Sequence, residues 1–200
     1  MKRALVVLTE QYADWELSYV AAELSMSHSF KIDTVSLEEP TVTSIGQIKT
    51  IIDYTIEQIS EPYDALIVIG GNNWPSIESE QLVQLIKSSL DKGIVVGAIC
   101  GAVDFLARNS LLSGFKHTGN DLNTWTTDNN FKQYTNSIDF VNEDSVIDKN
   151  LVTANGSSAV DFAFNVIQAL GLLDEREAEK NKYFYKSGYV AYKLKYGEIG

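Results

Sequence analysis

The sequence predicts an α/β fold, an open and mostly parallel sheet flanked by helices on both faces in a flavodoxin-like three-layer sandwich. Three observations predict it. Residues 4–8, 65–69 and 94–99 are short apolar runs without polar alternation, the pattern of strands buried on both faces. Amphipathic helical patterns lie between or after these runs, which is βαβ rhythm. A chain of 200 residues, 44% of them hydrophobic and only 3 of them Pro, is long and apolar enough to bury a core without disulfides or metals.

Taken in order, residues 4–8 form the first strand, and residues 15–26 a helix with Leu17, Val20, Ala21 and Leu24 on one face. Residues 32–35 are a second strand. Residues 42–52 alternate around Gly46 and predict a small hairpin. The strand at 65–69 is followed by a helix over 82–90, with Leu82, Leu85, Ile86 and Leu90 inward. The strand at 94–99 runs directly into a helix over 102–112. Residues 137–152 predict paired strands joined through Asn142-Glu143-Asp144, and 157–170 an amphipathic helix after the Asn155-Gly156 turn. With no internal repeat or linker, one domain is expected over 1–173.

Residues 174–200 differ in composition. They carry five acids and six bases, a net +1 against -12 for the body, and six aromatics: Tyr183, Phe184, Tyr185, Tyr189, Tyr192 and Tyr196. Tyr185, Tyr189, Tyr192 and Tyr196 fall at helical spacing, Asp174 and Glu177 have the spacing of a capping box, and Gly188 interrupts the pattern. This aromatic helical extension either packs its stripe on its own domain or serves as a dimer contact or lid.

Composition also excludes classes. A net charge of -11 repels phosphate backbones, so nucleic acid is not an expected partner. No run reaches the roughly 18 apolar residues of a membrane span. Lys2 and Arg3 precede a short apolar stretch, but Glu10, Asp14 and Glu16 follow at once, so no signal peptide is read. One Cys forms no internal disulfide, and His28 and His117 are too few for a His-rich metal site. The expectations are no metal, no cofactor and a cytoplasmic location.

The single Cys100 ends the strand at 94–99 and is followed by Gly101-Ala102, small residues that permit a sharp strand-to-helix turn. Such a nucleophile elbow aims the N–H groups of the following helix at the sulfur and favours the thiolate, so a thiol pKa below the free value is expected. A buried structural cysteine is the competing reading. Gly70-Gly71 closes the preceding strand at the same sheet edge, where the Gly71 and Gly101 amides would form an oxyanion hole. Glu16 follows the first strand at that edge too, either as part of the site or as a first-turn acid complementing a helix dipole.

At these residues the chain resembles the ThiJ/PfpI superfamily, within the class I glutamine amidotransferase-like fold. The resemblance is carried by Tyr12-Ala13-Asp14-Trp15-Glu16, Tyr63-Asp64-Ala65 leading to Gly70-Gly71, and Gly97-Ala98-Ile99-Cys100-Gly101-Ala102. Leu106-Ala107, Leu111-Leu112-Ser113-Gly114, Lys116-His117-Thr118 and residues 151–156 follow in family order. It implies that Cys100 is the elbow cysteine, Glu16 the acid hydrogen-bonded to its sulfur, and the Gly71 and Gly101 amides the oxyanion donors. The chain also departs from the family. PfpI-type peptidase relatives place His immediately after the cysteine, where this chain has Gly101. Members with a His two residues after a Thr correspond here to Asn120, and no His follows His117.

Without a paired imidazole, peptidase and glutaminase activities are disfavoured. The expected function is a small-molecule hydrolase, amidase or glyoxalase-like enzyme acting on carbonyl or amide substrates. The alternative is an oxidative-stress sensor or protective protein working through oxidation of Cys100. His117 and Asn120 are candidate accessory residues, and Gly70, Trp74 and Trp125 candidate pocket walls. A homodimer is the expected assembly.

Overall fold

The computed structural model describes residues 1–197. The three apolar runs become β1 (Lys2–Val7), β6 (Ala65–Val68) and β7 (Val95–Ile99), side by side at the centre of the main sheet. β2 (Phe30–Ser36) and β5 (Tyr54–Thr55) extend one side; β9 (Leu151–Ala154) and β8 (Ser145–Asp148) extend the other. The order is β5-β2-β1-β6-β7-β9-β8, parallel throughout except for the antiparallel β8–β9 pair. Register decides where the site lies. Val7 stands opposite Val68 and Val68 opposite Ala98, so β1, β6 and β7 finish nearly level and their loops leave from one edge. The expected hairpin forms from β3 (Thr41–Thr43) and β4 (Lys49–Ile51).

One face is covered by α1 (Asp14–Met26) and α5 (Ala159–Ala169), which bury Val20, Leu24, Phe162 and Val166. The other is covered by α2 (Glu80–Asp91) and α3 (Gly101–Arg108), which bury Leu82, Ile86, Phe105 and Leu106. The helix expected over 102–112 stops at Arg108 because Ser110 adopts φ 59, a turn that still buries Leu111 and Leu112.

The segment 137–152 differs more. Its hairpin turn is at Lys149-Asn150, not at Asn142-Glu143-Asp144. Lys149 takes φ 54, and the Asn150 amide donates to the carbonyls of Leu90 and Ile94, which pins the turn beside the start of β7. Residues 140–144 are instead a loop held to Thr118, whose hydroxyl donates to the Glu143 carbonyl at 2.8 Å. α4 (Leu122–Thr127), which periodicity did not show, is capped by Asp121 accepting from the Asn123 and Thr124 amides.

The extension forms α6 (Glu175–Tyr196), with the Asp174–Glu177 capping box in place; residues 198–200 of it lie outside the described residues. Gly188 leaves the helix with φ 83, so the four tyrosines do not share one straight face. Tyr185 packs on the body, with ring centroids 5.1 Å from Tyr19 and 5.7 Å from Phe164. Beyond the kink the chain doubles back, bringing Tyr192 against Phe184 and Tyr196 against Tyr183.

Candidate active site

Cys100 connects β7 to α3 with φ 58 and ψ -128, a conformation an L-residue adopts only at a cost on the order of 1–3 kcal/mol. The Cys100 amide donates to the Ala154 carbonyl at 3.0 Å, which ties the elbow to the end of β9. Gly101 is small for a local reason: a Cβ there would stand 2.9 Å from Trp74 Cδ1 and 3.1 Å from the Gly71 carbonyl. The indole of Trp74 therefore occupies the space a larger residue after the cysteine would need.

Glu16 reaches the elbow from α1. It shares the buried stripe of that helix with Val20 and Leu24, and its side chain is fully buried. An acid on an apolar helical stripe is itself a sequence signal. A Cβ on Gly156 would lie 2.7 Å from Cys100 Sγ and 3.2 Å from Glu16 Oε1, and one on Gly70 would strike both Glu16 Oε2 and Cys100 Cβ. Two glycines thus make room for the carboxyl and the thiol to share one small space.

Burial raises the Glu16 carboxyl to about 7, against weaker lowering by the thiol and by the Gly70 amide. Burial, together with the neighbouring Glu16 charge, also raises the Cys100 thiol to about 11, although the Asn120 amide and the Gly101 N–H favour its thiolate. That direction is opposite to the expectation from the helix N-terminus alone. Desolvation and a like charge outweigh the dipole here. Two such acids in contact titrate as a pair that holds a single negative charge over a wide pH range.

Asn120 fills the position that the family resemblance gives to histidine in other members. Its Nδ2 donates to Cys100 Sγ at 3.4 Å, and its Oδ1 accepts from the Gly156 amide at 2.9 Å. His117 does not reach the thiol. It is fully buried, with Nδ1 at 2.8 Å from the Phe115 carbonyl and Nε2 at 2.8 Å from the Tyr134 hydroxyl. The imidazole turns into an aromatic cluster with Trp125, Tyr134 and Phe140, while Asn120 reaches the sulfur.

Trp74 and Trp125 are not pocket walls. Trp74 is buried with its indole N–H on the Ile69 carbonyl at 3.0 Å, and Trp125 is buried with its N–H on Asp104 Oδ1 at 2.7 Å. Both support the site from within the core. The tryptophan at the mouth is Trp15, 48% exposed, which donates to the Gly156 carbonyl at 3.0 Å. With Gly156, Phe140 and Glu143 it belongs to the wall that sequence reasoning did not find. These residues border an open cleft of about 1090 Å³ over Cys100 and Glu16.

Gly70 lies beneath Glu16 rather than in the cleft wall. Gly71 is bridged to Tyr12 through the Asn72 amide and the Gly70 carbonyl, which leaves its own N–H outside that pairing. A Cβ at Gly71 would stand 2.7 Å from the Tyr12 Cα. Chemically, the arrangement joins a thiol, a proton carried on a buried carboxyl and amides near the sulfur. No group of three or more His, Cys, Asp or Glu positioned for a metal occurs among the described residues.

Comparison with known proteins agrees with the fold. The DJ-1/PfpI family pattern matches residues 2–169. YdeA of Bacillus subtilis, described as an uncharacterized protease, is 40% identical over 98% of this chain and 98% of its own. YoaZ of the same organism, described likewise, is 31% identical over 79% and 78%. The thiJ/pfpI family protein of Bacillus anthracis superposes with a TM-score of 0.85 at 28% identity, covering 96% of this chain and 94% of that one. This chain belongs to the DJ-1/PfpI family.

Proposed function

We propose that this protein is a thiol-dependent enzyme acting on small carbonyl or acyl compounds, with Cys100 as nucleophile. The observation that carries the reading is the fully buried Glu16 carboxyl sharing one glycine-lined space with the Cys100 thiol. Burial disfavours the ionised form of an acid, and a carboxyl raised to about 7 is poised to carry a proton near neutral pH. The thiolate adds to the electrophilic carbon, a C–S bond forms, and the carbonyl π pair moves to oxygen. The Gly71 and Gly101 amides hold that oxyanion, and Glu16 supplies the proton. With an ester or amide, collapse expels the alcohol or amine with that proton and leaves a thioester for water to hydrolyse.

The relatives described as proteases keep peptide hydrolysis within the family's range. In this chain the imidazole that would activate the thiol for it is replaced by Asn120, which favours more reactive electrophiles. The protein is assigned to a reducing compartment, where its lone thiol stays free, and to a homodimeric assembly. The test is turnover of methylglyoxal, simple esters and amides by the intact protein beside Cys100→Ser. Loss of turnover with the thiol supports the reading, and turnover that survives Cys100→Ser ends it.

A second reading rests on the two donors at the sulfur, the Asn120 amide and the Gly101 N–H. They suit an oxidised sulfur as well as an oxyanion. Attack of the thiolate on a peroxide would give sulfenate and release water or an alcohol, and a second peroxide would give sulfinate. Graded peroxide with mass spectrometry separates the readings: stoichiometric oxidation of Cys100 without turnover of any carbonyl compound favours a sensor.

A further inference from the structure

We infer that the Cys100 cleft selects small electrophiles that carry a positive charge, an ammonium or guanidinium group placed a short linker away from the reacting carbon. This rests on the reading of Cys100 as the reacting group. The wall contains Glu16, Asp121 and Glu143 and, among the described residues, no Lys, Arg or His. The second observation is Glu16 itself: its carboxyl is buried, its Oε1 lies on the Gly156 side of this space, and among the described residues no basic side chain or donor beyond the thiol and the Gly70 amide meets it.

The outer two acids are held by the fold. Asp121 caps α4 through the Asn123 and Thr124 amides and the Thr124 hydroxyl, and these donors hold its carboxylate ionised by keeping its pKa low. Glu143 is exposed, and its backbone is fixed by the Thr118 hydroxyl on its carbonyl and by its own amide on Val141. Lys186, on the nearby α6, is committed to Asp144 and Asp161. The half-exposed ring of Trp15 completes the mouth and offers a π face to a cation. An anionic substrate would meet these charges in a cleft that also carries the shared negative charge of the Glu16–Cys100 pair, and would be repelled.

The test uses three methanethiosulfonate reagents of similar size: trimethylammonioethyl, methyl and sulfonatoethyl. In each, the thiolate attacks the sulfenyl sulfur, an S–S bond forms and methanesulfinate leaves. Rates at low salt are compared with those of N-acetylcysteine. The expected cation-to-anion rate ratio exceeds that of the free thiol by about tenfold or more, and shrinks at 1 M salt. In the Asp121→Asn, Glu143→Gln double variant, where Asn still caps α4, the cationic reagent loses about tenfold relative to the neutral one. Glu61→Gln with Asp91→Asn, at the opposite edge of the sheet, keeps the ratio.

A ratio equal to that of the free thiol, or one that persists in the Asp121/Glu143 variant or falls equally in the far-edge variant, overturns the inference while leaving Cys100 as a nucleophile. Failure of all three reagents to modify Cys100 overturns the underlying reading as well.

Discussion

The Cys100 sulfur and the Glu16 carboxyl meet over the same backbone point, Gly156, where a single Cβ would touch both. The two groups come from different strand ends and different helices, so their approach is a product of the whole sheet. It brings together an acid and a thiol that cannot both ionise near neutral pH, and each property of the site follows from that sharing.

Replacing Glu16 separates thiol reactivity from turnover. Two of the influences that raise the Cys100 thiol, the Glu16 charge and its side-chain contact, disappear in Glu16→Gln, while burial remains. The alkylation profile with iodoacetamide is expected to shift to lower pH, with a rate at pH 8 about fivefold higher than in the parent. Turnover of carbonyl substrates falls about a hundredfold or more because the proton donor is gone. A variant slower in both assays would show that Glu16 favours the thiolate instead.

Glu16 also sets a pH dependence of stability. Its carboxyl is raised from 4.5 to about 7, so the folded state binds this proton more tightly than the unfolded chain. Its contribution is fully present below about pH 4.5 and is lost as pH rises towards 7, amounting to about 3 kcal/mol in the limit of an isolated site. Glu16→Gln should therefore gain stability relative to the parent between pH 5 and pH 8, by denaturant titration at both. An equal difference at the two pH values would remove the carboxyl as the cause.

Gly156 is the steric key. In Gly156→Ala the added methyl carbon falls 2.7 Å from Cys100 Sγ, closer than the sulfur allows, and 3.2 Å from Glu16 Oε1, a tight contact. Alkylation of Cys100 is expected to drop by about a hundredfold, with a stability loss of about 1–3 kcal/mol from overpacking. Unchanged alkylation of a folded Gly156→Ala protein would mean that the turn moves aside freely.

Much of this arrangement was legible in the chain, and the reasons for the rest are specific. The unbroken apolar runs announced β1, β6 and β7, and the small residues after Cys100 announced the elbow, because both depend on neighbours in sequence. The hairpin turn was displaced because its position is set by Asn150 bonding to Leu90 and Ile94, partners distant in sequence. Trp15 was missed and Trp74 and Trp125 were misplaced for a similar reason: a tryptophan's local pattern does not tell a mouth from a support, whereas the Gly156, Ile69 and Asp104 acceptors do.

His117 offers the sharpest check on the placement of the imidazole. Both ring nitrogens are engaged away from the thiol, by Phe115 and Tyr134, and burial lowers the imidazole pKa. A depressed histidine is neutral in the folded state and protonates on unfolding, so its contribution is present above about pH 6.5 and is lost as pH falls below that value. His117→Phe leaves the buried Tyr134 hydroxyl without this partner and should cost about 1–3 kcal/mol at pH 7.5. Because no proton passes from this ring to Cys100, the shape of the alkylation pH profile stays the same. A folded His117→Phe protein whose thiol profile shifted would instead place the imidazole in electrostatic contact with Cys100.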